Sequence, residues 1–390
     1  MRRAWAGAVA VIAAFALAAC TTEAEPVPRG PDVPEPSASA TADPADTTSF
    51  AVEEIDRFDD PWAMAFLPDG ALLITERTGA LHLRDMDAGT LVSVSGAPEV
   101  VVAGQGGLGD VVPSPTFEAD GVVYLSWVEA GDGGTGAVVG RAVLERAGDA
   151  AALQGLEVIW RQQPKTTGDG HFSHRIAFSP DGRHLFVTSG DRQQMDPAQD
   201  RSNTLGTIVR LTLDGEAAAD NPWNDEGGVT AQIHSYGHRN PLGIAFAPDG
   251  TLWSTEMGPQ GGDELNLIEA GGNYGWPLAS NGSHYGGGEI PDHAAGDGFV
   301  APSVWWNPSI SPGSLHIYRG DLFAGWTGDA VIGALSGESL IRVDLEGETA
   351  GIVVDWPMGA RIRAVTEDAD GAIWVLEDAG SGRLLRLTPE

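Results

Sequence analysis

The chain has 390 residues, with 22 Lys plus Arg against 55 Asp plus Glu and a formal net charge of −33. So acidic a surface repels nucleic acid and anionic lipid headgroups and makes neither an expected partner; a small neutral substrate or a calcium ion suits it. Its single cysteine excludes an internal disulfide.

Residues 1–20 read as a leader. Arg2 and Arg3 precede an apolar run from Ala4 to Ala19, about 16 residues, which is short of the ~20 that a membrane-spanning helix needs. The run ends Leu17-Ala18-Ala19-Cys20, the form of a bacterial lipobox, so Cys20 is the expected lipidated first residue of the mature chain. An ordinary cleaved signal with an incidental cysteine is the alternative. Residues 21–49 are rich in Pro, Ala, Thr and acids and read as a flexible tether. The expected address is the outer face of the bacterial cytoplasmic membrane, touched through the lipid anchor only.

Residues 50–390 show little helical periodicity. A strand–turn–strand phrase recurs instead: "WAMAFLPDGALLITE" from Trp62, "RIAFSPDGRHLFVTS" from Arg175, "GIAFAPDGTLWSTE" from Gly243 and "AVTEDADGAIWVLED" from Ala364. A weaker copy, "SPTFEADGVVYLSW", starts at Ser114, and a further one is expected near Gly320–Asp321. Asp-Gly between alternating apolar runs is a strong hairpin signal. The turns recur every ~50–70 residues with one double interval, which predicts six units of about 55 residues. Repeated four-stranded antiparallel units without intervening helices predict an all-β fold, a six-bladed β-propeller, over an open sandwich.

Gly104 to Gly109 spell G-x-G-x-x-G, but Pro113 and Pro115 follow, so no helix opens there to receive a dinucleotide. The glycines predict a tight loop with close backbone approach. In "GDGHFSHRIAF", His171 precedes a predicted inner strand and is the natural general base, its ordinary pKa being near neutrality. Asp191, in "TSGDR" on the neighbouring strand, can reach and orient that imidazole. "GPQGGDELN" and "GGNYGWP" read either as oxygen-rich calcium loops or as long turns held by Asx bonds. Arg361 and Arg363 alternate onto one side of a strand, facing an anionic group or a structural carboxylate.

In order, "GQGGLGD", "GHFSHR", "GHRNPLGIAF", "EMGPQGGDELNLI", "GGNYGWP" and "RIR" resemble the soluble aldose sugar dehydrogenases that use pyrroloquinoline quinone (PQQ), the family of soluble quinoprotein glucose dehydrogenase. The resemblance spans the body from Phe58 to Leu387. It implies a six-bladed propeller with PQQ over the central channel beside calcium, and oxidation of an aldose at its anomeric hydroxyl to a lactone. His171 is then the base, oriented by Asp191, and Arg239 stabilises charge on the quinone. Gln105, Arg239, Asn240 and Tyr285 are the implied cofactor contacts, and Arg361 and Arg363 bind its carboxylates. Gly258, Pro259, Glu264 and Tyr274 match metal-site positions. An electron acceptor, not identified by the sequence, reoxidises the cofactor. Ser336, in "GALSGES", stands where the family has a lysine, a loss of about 1.5–3 kcal/mol if one charged hydrogen bond is missing. Ser336 thus supports one alternative, a non-catalytic carbohydrate- or protein-binding propeller without PQQ; a second is a calcium-dependent lactonase, since hydrolytic six-bladed propellers also use a channel metal.

Overall fold

The computed structural model describes residues 48–148 and 150–390. The leader, Cys20 and nearly all of the tether lie outside the described residues. Among the described residues the chain is built of β-strands with one single-turn α-helix, so the all-β expectation holds.

The strands group into six four-stranded antiparallel meanders. The first is Pro61–Phe66, Leu72–Glu76, Leu81–Arg84 and Leu91–Ser95; the second is Leu108–Pro113, Val122–Gly131, Gly134–Ala147 and Ala150–Arg161. These two join into one eight-stranded sheet, because Val94 and Ser95 pair in parallel with Ala151 and Ala152. The third is Ser173–Phe178, His184–Ser189, Thr207–Thr212 and Ile233–Tyr236, and the fourth is Pro241–Phe246, Leu252–Glu256, Asp263–Leu267 and Val304–Trp306. The fifth comprises Pro312–Ile317, Ala330–Ala334, Ser339–Glu346 and Thr349–Pro357. The sixth takes Ile362–Glu367, Ile373–Glu377 and Gly382–Pro389 from the end of the chain, and its fourth strand is the first of the described chain, Phe50–Phe58. The first strands of successive meanders touch in a closed circuit, the sixth returning to the first. Apolar clusters fill the spaces between neighbours, such as Leu73 and Leu81 with Val111 and Trp127, and Trp253 and Leu265 with Leu315 and Ile332.

The Asp-Gly phrases form the turns between first and second strands, with Gly70 at φ 86° and Gly250 at φ 92°. The phrase at Ser114 differs. Its first strand lies upstream, at Leu108–Pro113, and Phe117–Asp120 is a helical turn. The Asp120 carboxylate closes that turn by accepting from Thr116 Oγ1 (2.7 Å), Ser114 Oγ (2.9 Å) and the Val122 N–H (2.8 Å). Local side-chain bonds thus displace the strand expected there.

Each of the six first strands begins with a register shift against its partner. The residues inside the shifts are Trp62, Gly109–Asp110, His174–Arg175, Leu242, Gly313 and Arg363. A bulge re-aims a side chain out of the pleat. Arg175 meets all the others. Its guanidinium stacks over Trp62 at 3.8 Å and donates to Asp110 Oδ1 (3.3 Å), Leu242 O (2.9 Å), Gly313 O (2.7 Å) and Arg363 O (3.3 Å). One buried cation therefore ties its own meander to the other five. Burial pushes Arg175 down to about 10, which leaves it charged at neutral pH. Arg175→Met strands the buried Asp110 carboxylate, so urea unfolding should show a loss of about 3–5 kcal/mol, with partial recovery in the Arg175→Met/Asp110→Asn double variant.

Candidate active site

His171 lies just ahead of the third meander's first strand, and Asp191 just beyond its second. His171 Nδ1 is 2.7 Å from Asp191 Oδ1. Since the carboxylate can only accept, Nδ1 carries the proton and Nε2 keeps its lone pair. Burial lowers the His171 pKa, an effect that Asp191 opposes and Arg239 and Arg192 reinforce; the imidazole is neutral at pH 7. Asp191 also accepts from Trp276 Nε1 (2.8 Å), the Gln193 N–H (2.7 Å) and the Met195 N–H (3.3 Å). Its own N–H donates to Arg239 O at 2.8 Å, joining the third meander to the fourth. Gln105 Oε1 accepts the His171 N–H at 2.7 Å, and the Gln105 N–H donates to Asp169 O at 2.7 Å.

The glycines around Gln105 allow this approach. A Cβ on Gly104 would stand 2.3 Å from Asp169 O, and one on Gly107 2.2 Å from Arg77 O. The strand Leu108–Pro113 follows, so no dinucleotide-type helix opens there.

A cavity of about 340 Å³ has Gln105, Tyr285, Arg361 and Arg363 in its wall, with Trp62, Arg77, Phe172 and His174. Arg361 and Arg363 both bond Asp378, Arg361 Nε at 2.8 Å and Arg363 Nε at 3.0 Å. The pair therefore has the structural carboxylate that the sequence allowed, and both arginines also line the cavity. Burial would raise the Asp378 carboxyl, but the two guanidiniums outweigh that and hold it below its ordinary value. Three guanidiniums against one carboxylate leave the wall cationic inside a strongly acidic protein. His174 is neutral: burial pushes it down to about 3, its Nδ1 meets Ser126 Oγ at 2.8 Å, and its ring stacks on Trp62.

A second, much smaller cavity is lined by Arg239, Glu256, Met257, Gly258, Glu264, Tyr274, Trp276 and Ser280; Met257 borders both cavities. Glu256 Oε2 accepts the Arg239 N–H at 2.7 Å, and Arg239 Nη1 donates to Met257 O (2.8 Å) and Gly258 O (2.6 Å). Asn266 Nδ2 bridges Glu256 (3.1 Å) and Glu264 (3.0 Å). Burial, and then the charge of Glu256, raise the Glu264 carboxyl well above its ordinary value. The Tyr274 hydroxyl is engaged elsewhere, with Leu267 O at 2.6 Å and the Glu269 N–H at 2.8 Å. Only its main chain is left to serve a metal. Pro259 is buried but borders neither cavity.

Asn240 Oδ1 accepts from Ser173 Oγ at 3.0 Å, linking it to the His171 loop. Ser336 is exposed and donates to Ser309 O (3.2 Å) and Ser311 Oγ (2.8 Å); Ser311 is in the wall of the larger cavity and Ser336 is not. Sequence reading does not single out Trp62, Arg77, Glu256, Trp276 or Asp378. Each enters through a bulge, a turn or a partner distant in sequence, and none has a spacing that marks it.

Residues 58–386 match the family model described as glucose/sorbosone dehydrogenase. The aldose sugar dehydrogenase YliI of Escherichia coli is 40% identical over 344 residues, which is 86% of this chain and 91% of that protein. The crystal structure of the soluble aldose sugar dehydrogenase from Escherichia coli in the apo-form superposes with a TM-score of 0.82 at 39% identity, covering 88% of this chain and 100% of that one. The PQQ-bound form of the aldose sugar dehydrogenase from Streptomyces coelicolor gives a TM-score of 0.73 at 27% identity, covering 88% and 99%.

The four donors on Asp191 share its negative charge, so removing one leaves more of it for His171. Trp276→Phe should therefore raise the His171 pKa, by up to about one unit for a single hydrogen bond. An NMR titration of the imidazole measures it; an unchanged or lower value contradicts the assignment.

Proposed function

The chain belongs to the glucose/sorbosone dehydrogenase family, and from that membership we propose that it is a six-bladed propeller oxidoreductase. In this reading it oxidises aldoses at the anomeric carbon with PQQ and calcium. The six meanders in closed circuit support the blade count. The observation that carries the activity is the neutral His171, held by Asp191 through one ring nitrogen; its neighbour Phe172 and its main-chain partner Gln105 stand in the wall of a cationic cavity.

The wall fits an aromatic, multiply anionic cofactor. Arg77, Arg361 and Arg363 supply charge, Trp62 and Phe172 line the cavity as aromatic side chains, and the buried Nε atom of Arg77 has no hydrogen-bond partner, nor does that of Arg239 in the neighbouring smaller cavity. A bound quinone supplies the hydride acceptor, and an external acceptor then takes the electrons. Gln105 and Asn240 hold the His171 loop from two sides. His171 Nε2 accepts the proton of the sugar hydroxyl, and Asp191 stabilises the imidazolium so formed. Arg239 opposes negative charge that develops next to it.

Calcium fits the second cavity. The buried carboxylates of Glu256 and Glu264, the second with raised proton affinity, and the carbonyls of Met257 and Gly258 form an all-oxygen donor set, as hard cations require. Among the described residues no three His, Cys, Asp or Glu side chains converge on a metal position, so a calcium ion here would need main-chain oxygens such as those of Met257 and Gly258. The lipid anchor at Cys20 remains part of the proposal, and membrane release of a Cys20→Ser variant is its assay.

Reconstitution tests the whole reading: purified protein with PQQ and calcium should reduce a dye when aldoses are added. His171→Ala should lose about 10²–10⁴-fold in turnover. In the parent protein, kcat/KM should fall only below about pH 6.5, because burial lowers the His171 pKa and only the neutral ring accepts a proton. PQQ binding by neither the parent nor Ser336→Lys would reject the quinoprotein reading and favour a binding propeller.

Calcium should raise the melting temperature, with the stabilisation growing as RT ln(1 + [Ca²⁺]/Kd). Glu264→Gln should lose most of that increment; an undiminished increment in this variant places calcium elsewhere.

A further inference from the structure

Arg192 takes no direct part in the chemistry above, yet it is one of the largest fully buried side chains. Among the described residues its side-chain hydrogen bonds go to no carboxylate. Nε donates to Gly170 O at 2.9 Å and Nη1 to Thr135 O at 2.5 Å, while Nη2 donates to Thr135 Oγ1 at 3.2 Å and to Gly168 O. The guanidinium lies 3.7 Å over the Phe172 ring, and the Arg192 N–H donates to His171 O at 3.3 Å. Residues 168, 170, 171 and 172 are thus each held by this one residue.

The segments it joins are strained. His171 (φ 50°), Ser173 (59°), His174 (61°), Arg192 (57°), Gln193 (60°) and Met195 (62°) occupy the left-handed region. They are six of the nine non-glycine residues that do so among the described residues. Such backbone persists only where its surroundings over-determine it.

We propose that Arg192 is the positioning residue for His171: its planar fork gathers the oxygens of Gly168, Gly170 and Thr135 and fixes the left-handed loop, so that the imidazole keeps its Asp191 partner. The fork is the essential feature. A lysine keeps the charge but, as a compact ammonium on a flexible stem, does not reproduce a rigid set of donors reaching both sides of the loop. The charged groups facing His171 are Asp191, which raises its proton affinity, and Arg239 and Arg192, which lower it.

The kinetic arm of the test rests on the dehydrogenase reading; the spectroscopic arm does not. In the full chain, Arg192→Lys and Arg192→Ala should both lose the downfield Nδ1–H resonance of the His171–Asp191 bond. In the reconstituted enzyme, turnover should fall by at least about tenfold with the sugar KM within about threefold. Added guanidinium should restore the Ala variant in part and the Lys variant not at all. A parent-like resonance in Arg192→Lys would mean that charge alone suffices, and overturns the proposal. Loss of fold in both variants by circular dichroism marks a purely structural role and overturns it as well. If the parent shows no sugar oxidation, the function proposed above fails, and the resonance still decides the role of Arg192.

Discussion

The arrangement depends on one buried cation that sits in one bulge and meets the other five. In this closed circuit of meanders, three first strands present a main-chain oxygen and a fourth a carboxylate to one point, and an apolar plug would leave them without donors. Arg175 answers with a planar set of N–H groups that reach Asp110, Leu242, Gly313 and Arg363, and with a face that covers Trp62. A buried ion pair alone is a poor source of stability, because desolvation opposes it. Here the extra carbonyl bonds offset that cost, and the geometry fixes how the six first strands meet. The residues beside the same bulges, Trp62, His174, Leu242 and Arg363, form the floor of the larger cavity. What closes the circuit also shapes the site.

Charge is distributed accordingly. The protein carries −33 overall, yet Arg77, Arg175, Arg239, Arg361 and Arg363 are gathered about the axis. Arg175, Arg239 and Arg363 are buried, so their field is screened far less than that of the surface carboxylates. An anion is therefore favoured inside a protein whose exterior repels anions. Asp378 moderates this by holding Arg361 and Arg363 as a pair.

Much of this was legible in the sequence, and the exceptions have physical causes. Asp-Gly turns and alternating strands are local signals, so the repeat was readable at Asp69, Asp181, Asp249 and Asp370. At Ser114 the signal misled, because Thr116 and Asp120 bond one another and wind a helical turn. The pairing of His171 with Asp191 was also accessible, since one hairpin separates them. The bulges were not: a single extra residue leaves almost no trace in the hydrophobic pattern, yet it sends Trp62 and Arg363 to the axis. The roles of Asp378, Trp276 and Glu256 follow from contacts between meanders or loops, which no local spacing encodes.

The stretch from Gly237 to Pro277 shows why one connection carries so many polar residues. The Arg239 N–H is held by Glu256, its guanidinium by the carbonyls of Met257 and Gly258, and the Gly258 N–H by Asp263. Asp263 also accepts from the main-chain N–H groups of Ile310 (2.7 Å) and Ser311 (2.6 Å), and Ser311 borders the larger cavity. A change in charge between Glu256 and Glu264 is therefore felt by Arg239 through a single hydrogen bond. Through Arg239 O, which accepts the Asp191 N–H, it also reaches the carboxylate that orients His171. The two cavities share Met257 as a wall, and Arg239, in the wall of the smaller one, is bonded through its carbonyl to the Asp191 main chain, so the two regions are joined by direct contacts.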